Sequence, residues 1–123
     1  MIIIGHNAIE CEAFRLVKSI DDIKKSKANE VVYFTHNIAL AKHCKANEIR
    51  FSVIVECIYE LMIYEKLGAK YLIVKSLKFA QICQKIADEY FFDSKILVMI
   101  KSDKDIENVA YKGIDGVIYK RFL

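Results

Sequence analysis

Six times along this chain a run of apolar residues gives way to one ionisable side chain where a helix could begin. The junctions are Leu16-Val17-Lys18-Ser19, Phe34-Thr35-His36-Asn37, Ile54-Val55-Glu56-Cys57, Ile73-Val74-Lys75-Ser76, Met99-Ile100-Lys101-Ser102 and Ile118-Tyr119-Lys120-Arg121. A buried strand that surfaces and hands over to a helix produces this pattern, and its recurrence leaves few folds other than a βα series. The ionisable residues stand 18, 20, 19, 26 and 19 positions apart, which is room for one short helix and one strand each time. Strands joined in this way lie parallel, with crossovers of one hand.

Short runs rich in β-branched and aromatic residues predict strands at 2–5, 13–17, 31–35, 51–55, 70–74, 96–100 and 116–120. The segment 19–28 opens as a helix would, with Ser19 three residues before Asp22, and Asn37, Ser76 and Ser102 are placed to cap later helices. Asn29, Asn47, Gly68 and Gly113 stand where a left-handed residue would close one, and no proline interrupts the series. Lys27-Ala28-Asn29-Glu30 recurs unchanged as Lys45-Ala46-Asn47-Glu48, each time shortly before a strand, so adjacent units form an internal βα repeat.

A length of 123 residues makes residues 1–123 one α/β domain, too short for a complete eight-stranded α/β barrel. The runs Val31-Val32-Tyr33-Phe34, Val53-Ile54-Val55, Tyr71-Leu72-Ile73-Val74 and Ile96-Leu97-Val98-Met99-Ile100 are apolar without alternation, as in strands covered on both faces. The expected architecture is a mainly parallel sheet of six or seven strands, either a flavodoxin-like three-layer sandwich or a half-barrel. Met1–Gly5 and Ala8–Glu12 are separated only by His6-Asn7, so the chain is expected to begin with a hairpin or an extra edge strand.

Hydrophobic residues make up 54% of the chain, yet no run approaches the ~18 consecutive apolar residues of a membrane span. The opening residues lack the basic segment and long apolar run of a secretion signal, so the protein is expected in the cytoplasm. The four cysteines, Cys11, Cys44, Cys57 and Cys83, have no close pairing, and are expected to be reduced and mostly buried. A net charge of +3, evenly spread, gives no reason to expect a nucleic-acid partner.

Parallel strands bring their C-terminal ends to one rim, and there Lys18, His36, Glu56, Lys75, Lys101 and Lys120 would converge. Four lysines against one glutamate make that rim positive, and helix N-termini add partial positive charge, so an anionic small molecule is the expected ligand. The plainer alternative is that these residues only solvate the strand ends. No Gly-rich phosphate loop is present, because Gly113-Ile114-Asp115-Gly116 precedes a strand and reads as a helix stop and tight turn.

A lysine at a strand end could also act as an imine-forming nucleophile if its amine were desolvated. Lys75, Lys101 and Lys120 are positioned for that, with Glu56 or His36 as proton-transfer partner. The stretch Leu67-Gly68-Ala69-Lys70-Tyr71-Leu72-Ile73-Val74-Lys75-Ser76, with the later Lys112-Gly113-Ile114-Asp115-Gly116-Val117-Ile118-Tyr119-Lys120, resembles the later βα units of phosphate-binding (β/α) barrels such as the ketodeoxyphosphogluconate-type aldolases. That resemblance implies a barrel-like fold, and would place Lys120 at the position of the imine lysine.

Other chemistry finds less support. His6, His36 and Glu56 could form a two-histidine, one-carboxylate metal site only if their strands were neighbours, and no metal or cofactor is expected. Cys57 at a helix start could be activated by the helix dipole, or could be a small residue packed under the first turn. A phospho-receiver role lacks the carboxylates that hold magnesium, and a dinucleotide site lacks its glycines.

Segments 58–67 and 76–92 carry more apolar residues than one buried stripe requires, including Tyr90-Phe91-Phe92, and this predicts a homodimer contact. The functional expectation is therefore a cytoplasmic module that binds an anionic small molecule or a protein partner at the strand C-terminal rim. The alternatives are a small Schiff-base lyase using a rim lysine, and a structural or regulatory homodimer without ligand.

Overall fold

The computed structural model describes all 123 residues. Its strands are β1 (Ile2–Ile4), β2 (Ala13–Leu16), β3 (Glu30–Phe34), β4 (Phe51–Ile54), β5 (Tyr71–Val74), β6 (Lys95–Ile100) and β7 (Gly116–Tyr119). Between them lie α1 (Ile20–Lys24), α2 (Ile38–Ala46), α3 (Ile58–Lys66), α4 (Leu77–Glu89) and α5 (Asp105–Tyr111), and a 3₁₀ turn at Lys120–Phe122 closes the chain. All seven strands form one parallel sheet in the order β1-β7-β6-β5-β4-β3-β2.

From β2 to β7 each strand is laid beside its predecessor in the same direction, so the crossovers return along one face. The packing confirms this. A core cluster of 25 buried residues joins alternate strand residues (Val32, Phe34, Val53, Val55, Leu72, Val74) to Leu40, Leu61, Tyr64, Cys83 and Val109 of the helices. The opposite face carries a cluster of only seven, Ile4, Tyr33, Ile54, Tyr71, Ile73, Leu97 and Ile118, with no helical member. Of the two expected architectures, then, the half-barrel is the one formed: helices cover the outer face and the sheet curls around the inner one.

The curl can be measured. Three strand spacings separate β2 from β5, about 14 Å in a flat sheet, yet the rings of Phe14 and Tyr71 stack with centroids 5.8 Å apart. Tyr33 of β3 donates its hydroxyl hydrogen to the main-chain carbonyl of Leu123, beyond β7, at 2.5 Å. Inner residues from distant strands thus cover one another, which is how both faces of these apolar strands leave water.

The start of the chain forms the edge strand and not the hairpin. Ile2, Ile3 and Ile4 pair in parallel with Gly116, Val117 and Ile118, so β1 and β2 lie at opposite edges of the sheet. Gly116 makes this possible, because a Cβ there would stand 2.4 Å from the Ile2 carbonyl oxygen.

Ser19, Asn37 and Ser76 accept from the N–H groups of Asp22, Leu40 and Phe79 as expected of caps. Ser102 does not: α5 begins two residues later than its placement implies, and the Asp105 carboxylate takes the N–H groups of Lys101 and Ser102 instead. Gly68 and Gly113 have φ of +89° and +69°, whereas neither Asn29 nor Asn47 is left-handed. The two copies of the tetrapeptide also diverge in backbone. Glu30 is already the first residue of β3, while Glu48 has φ +54° after α2, three residues before β4. Only Cys44 and Cys83 are buried, their thiols pushed up to about 11 by that burial, while Cys11 and Cys57 are exposed. No helix is long and apolar enough to cross a membrane.

Candidate functional site

Side chains alternate across a strand, so the inner-face rows can be followed upward to the rim. On β5 the inner residues Tyr71 and Ile73 are followed at the same parity by Lys75. On β6 Leu97 and Met99 lead to Lys101, and on β7 Ile118 leads to Lys120. These lysines line one cleft of about 620 Å³ at the C-terminal mouth of the half-barrel, floored by Leu16, Tyr33, Ile54, Met99, Ile100 and Leu123. That volume is in the range of small-molecule sites.

The other rim residues are placed differently. Glu56 lies just outside the cleft and pairs with Lys75, Oε1 to Nζ 3.1 Å, with side chains 64% and 60% exposed. Lys18 is exposed beyond β2 and takes no part in the cleft lining. His36 shares the parity of Val32 and Phe34, which face the helices. It accordingly turns outward, its Nδ1 2.8 Å from the Tyr64 hydroxyl and its ring edge-on to Tyr59 and Tyr64. Burial raises the Tyr64 phenol above its usual range, although the Asn37 N–H it accepts works the other way. Period two was the signal that separates His36 from the lysines.

The charge of the cleft comes from lysine side chains more than from helix dipoles. At three junctions a carboxylate from the following helix, four residues on, already accepts the junction N–H: Asp22 from Lys18 at 2.9 Å, Glu60 from Glu56 at 2.9 Å, and Asp105 from Lys101 at 3.1 Å. The Lys18 N–H is the chief reason the Asp22 carboxyl lies below its usual range. This spacing was legible in the sequence, and it means that those helix starts arrive with their own anion. The ammonium groups of Lys101 and Lys120, by contrast, have no ion-pair or hydrogen-bond partner.

A concavity of about 690 Å³ at the opposite, N-terminal end is slightly larger. It mixes Lys45, Arg50, Lys70 and Lys95 with Glu48, Glu65 and Asp93, so its field largely cancels. There Glu12 closes the inner face, bonded to Arg50, to Lys70 Nζ at 2.5 Å and to the Tyr71 hydroxyl at 3.1 Å. In α/β barrels that end serves stability and the C-terminal end serves chemistry.

No group of three or more His, Cys, Asp or Glu side chains is placed to hold a metal ion. His6 instead accepts the Ala8 N–H on Nδ1 at 3.0 Å, with Nε2 3.9 Å from Asp103, outside hydrogen-bond distance. Asp103 accepts from the Tyr119 hydroxyl, a bond that raises the Tyr119 phenol. Cys57 starts α3 with its side chain making no cap bond. One buried polar atom has no partner, Ser52 Oγ, on the inner face between Tyr33 and Tyr71 in register. The chain matches no protein-family model and no curated protein.

Proposed function

We propose that the protein is a binding module that takes up an anionic small molecule in the cleft at the strand C-terminal mouth. One observation carries this: Lys75, Lys101 and Lys120, on three successive strands, border a single concavity with an apolar floor, and two of the three ammonium groups lack a counterion. Lys75 beside Glu56 supplies an amine next to a carboxylate, the minimum for imine chemistry. With both side chains more than half exposed, water competes with the desolvation that activates an amine, which supports binding over catalysis. The exposed free thiols of Cys11 and Cys57 fit a reducing compartment, and so the cytoplasm.

The test is a thermal-shift panel of organic carboxylates and phosphates, each paired with its neutral alcohol, on the wild type and on Lys101→Ala/Lys120→Ala. A ligand at 100 times its dissociation constant adds about 2.7 kcal/mol, several degrees in a domain of this size. The expected result is stabilisation by the anion, not by the alcohol, lost in the double variant. Shifts that persist in the variant would remove the proposal.

A second reading, self-association, is favoured by Ile82, Tyr90 and Phe91 at α4 and its end, which are 46%, 66% and 88% exposed. Phe91 is moreover held at φ +54°, where bulky residues rarely sit. Sedimentation is expected to show a dimer that Phe91→Asp converts to monomer. A wild-type chain that is monomeric at its highest soluble concentration ends this reading.

A further inference from the structure

The cleft that attracts an anion has almost nothing to offer a polyol. Among its lining side chains the only hydrogen-bonding groups besides the lysines belong to Tyr33, whose hydroxyl hydrogen is already committed to the Leu123 carbonyl. No side-chain carboxylate, amide or serine lines it, and the Tyr33 oxygen and the main-chain oxygens are the acceptors left, so sugar hydroxyls entering the cleft would give up water for few partners. The floor, in contrast, invites apolar surface. Ile54 and Ile100 are nearly buried, Met99 and Leu123 are half-buried, and Leu16 is 50% exposed with its side chain in the cleft wall. An apolar residue left half in water beside a cleft gains from a ligand that covers it.

Resting on the anion-binding reading, we infer that the ligand is an amphipathic organic anion. A carboxylate or phosphate monoester group meets Lys101 and Lys120 at the mouth, while an aromatic or branched aliphatic body lies on Leu16, Ile54 and Met99. Sugar phosphates and nucleotides are disfavoured by the scarcity of side-chain acceptors. Inorganic phosphate and acetate are disfavoured because they leave the apolar floor wet. Glu56 sets the polarity of the site by holding Lys75 at one side, so the uncompensated positive charge lies toward β6 and β7.

The test is titration of the intact chain, followed by amide chemical shifts, with 4-phenylbutyrate, phenyl phosphate, 4-phenylbutanol, acetate, inorganic phosphate and glucose 6-phosphate. The proteins are the wild type, Lys101→Gln/Lys120→Gln, and Leu16→Gln, whose position already tolerates water. The phenyl anions are expected to bind about tenfold or more tightly than acetate, inorganic phosphate or glucose 6-phosphate, from the apolar area they cover. The lysine variant is expected to lose that affinity by about tenfold, and Leu16→Gln to weaken the phenyl anions by about threefold without changing inorganic phosphate. The two aromatic arms show which anionic group is preferred. Glucose 6-phosphate binding as tightly as phenyl phosphate, in a lysine-dependent way, overturns this inference and leaves the anion reading standing. Phenylbutanol binding as tightly as phenylbutyrate, or no lysine-dependent binding of any anion, removes the anion reading itself.

Discussion

Gly116→Ala is expected to lower the stability of the protein by about 3 kcal/mol, at the upper end of what overpacking costs. The reason lies in one contact. A Cβ at this position would stand 2.4 Å from the carbonyl oxygen and 2.6 Å from the Cβ of Ile2, and 2.8 Å from a methyl of Leu97. A leucine methyl can rotate away, but the Ile2 carbonyl belongs to the strand registered opposite Gly116, so β1 itself must move. With three residues at a sheet edge, β1 is the cheapest element to detach, and its loss exposes Ile4 and uncovers Ile118. Thermal unfolding should show a fall on the order of 10 °C, and hydrogen exchange should show lost protection at Ile3 and Ile4 with β5 and β6 unchanged. Gly68→Ala gives the scale: φ there is +89° but nothing lies within 4 Å of the new Cβ, so only backbone strain of about 1 kcal/mol is added. A Gly116→Ala protein as stable as Gly68→Ala would show that β1 does not depend on this close approach.

The glycine also shows where the sequence was readable and where it was not. All seven strands were legible from short runs rich in β-branched and aromatic residues, and in β3 to β7 burial on both faces leaves an unbroken hydrophobic signature, whereas β2 carries Arg15 and is only half-buried. The three caps that formed were legible because Ser or Asn before an apolar-periodic run has one local use. What was not local was not legible. Gly116 read as part of a turn, since its real constraint is the carbonyl of a residue more than a hundred positions away. The choice between sandwich and half-barrel was open for the same reason, as both consist of βα units and differ only in whether helices return to one face or two. In the site, Lys75, Lys101 and Lys120 end inner rows and line one cleft, while Lys18 and Glu56 end inner rows as well but lie outside it. His36 lies outside the cleft for a reason the sequence did contain: it is two residues past Phe34, an outward position, and alternation turns it toward the helices. The Glu12 cluster was invisible, since Arg50, Lys70 and Tyr71 meet it from separate units.

That cluster supplies the second large effect. Burial of the Glu12 carboxylate works to raise its pKa, but the hydrogen bond and charge of Lys70, the charge of Arg50 and the Tyr71 hydroxyl overcome it and hold the carboxyl below its ordinary value of 4.5. A carboxyl with a lowered folded pKa contributes stability that is present above the unfolded value and is lost as pH falls through the folded one. Glu12→Gln should therefore cost about 2 kcal/mol at pH 7, with its side chain only 22% exposed and two cations left without their counterion. The difference from wild type should begin to shrink as pH falls below the ordinary value of 4.5 and vanish once the folded carboxyl itself is protonated. At the alkaline end Tyr71 behaves oppositely. Burial first and the Glu12 carboxylate second push its phenol up to about 12, so the stability it contributes is intact below its ordinary value of 10.0 and lost as pH rises through 12. Removing the Glu12 charge should relieve part of that slope. Glu56→Gln is the control, since its pair with Lys75 is more than half exposed at both ends and is worth at most a few tenths of a kcal/mol. Urea unfolding of the three proteins from pH 3 to 11 measures the acid limb and the onset of the alkaline one, and an equal loss for Glu12→Gln and Glu56→Gln at pH 7 would show that the cluster is only surface charge. Because Glu12 sits at the N-terminal end of the inner face and the lysines at the C-terminal mouth, Glu12→Gln should leave the affinity of the cleft for phenyl anions unchanged while the protein becomes easier to unfold.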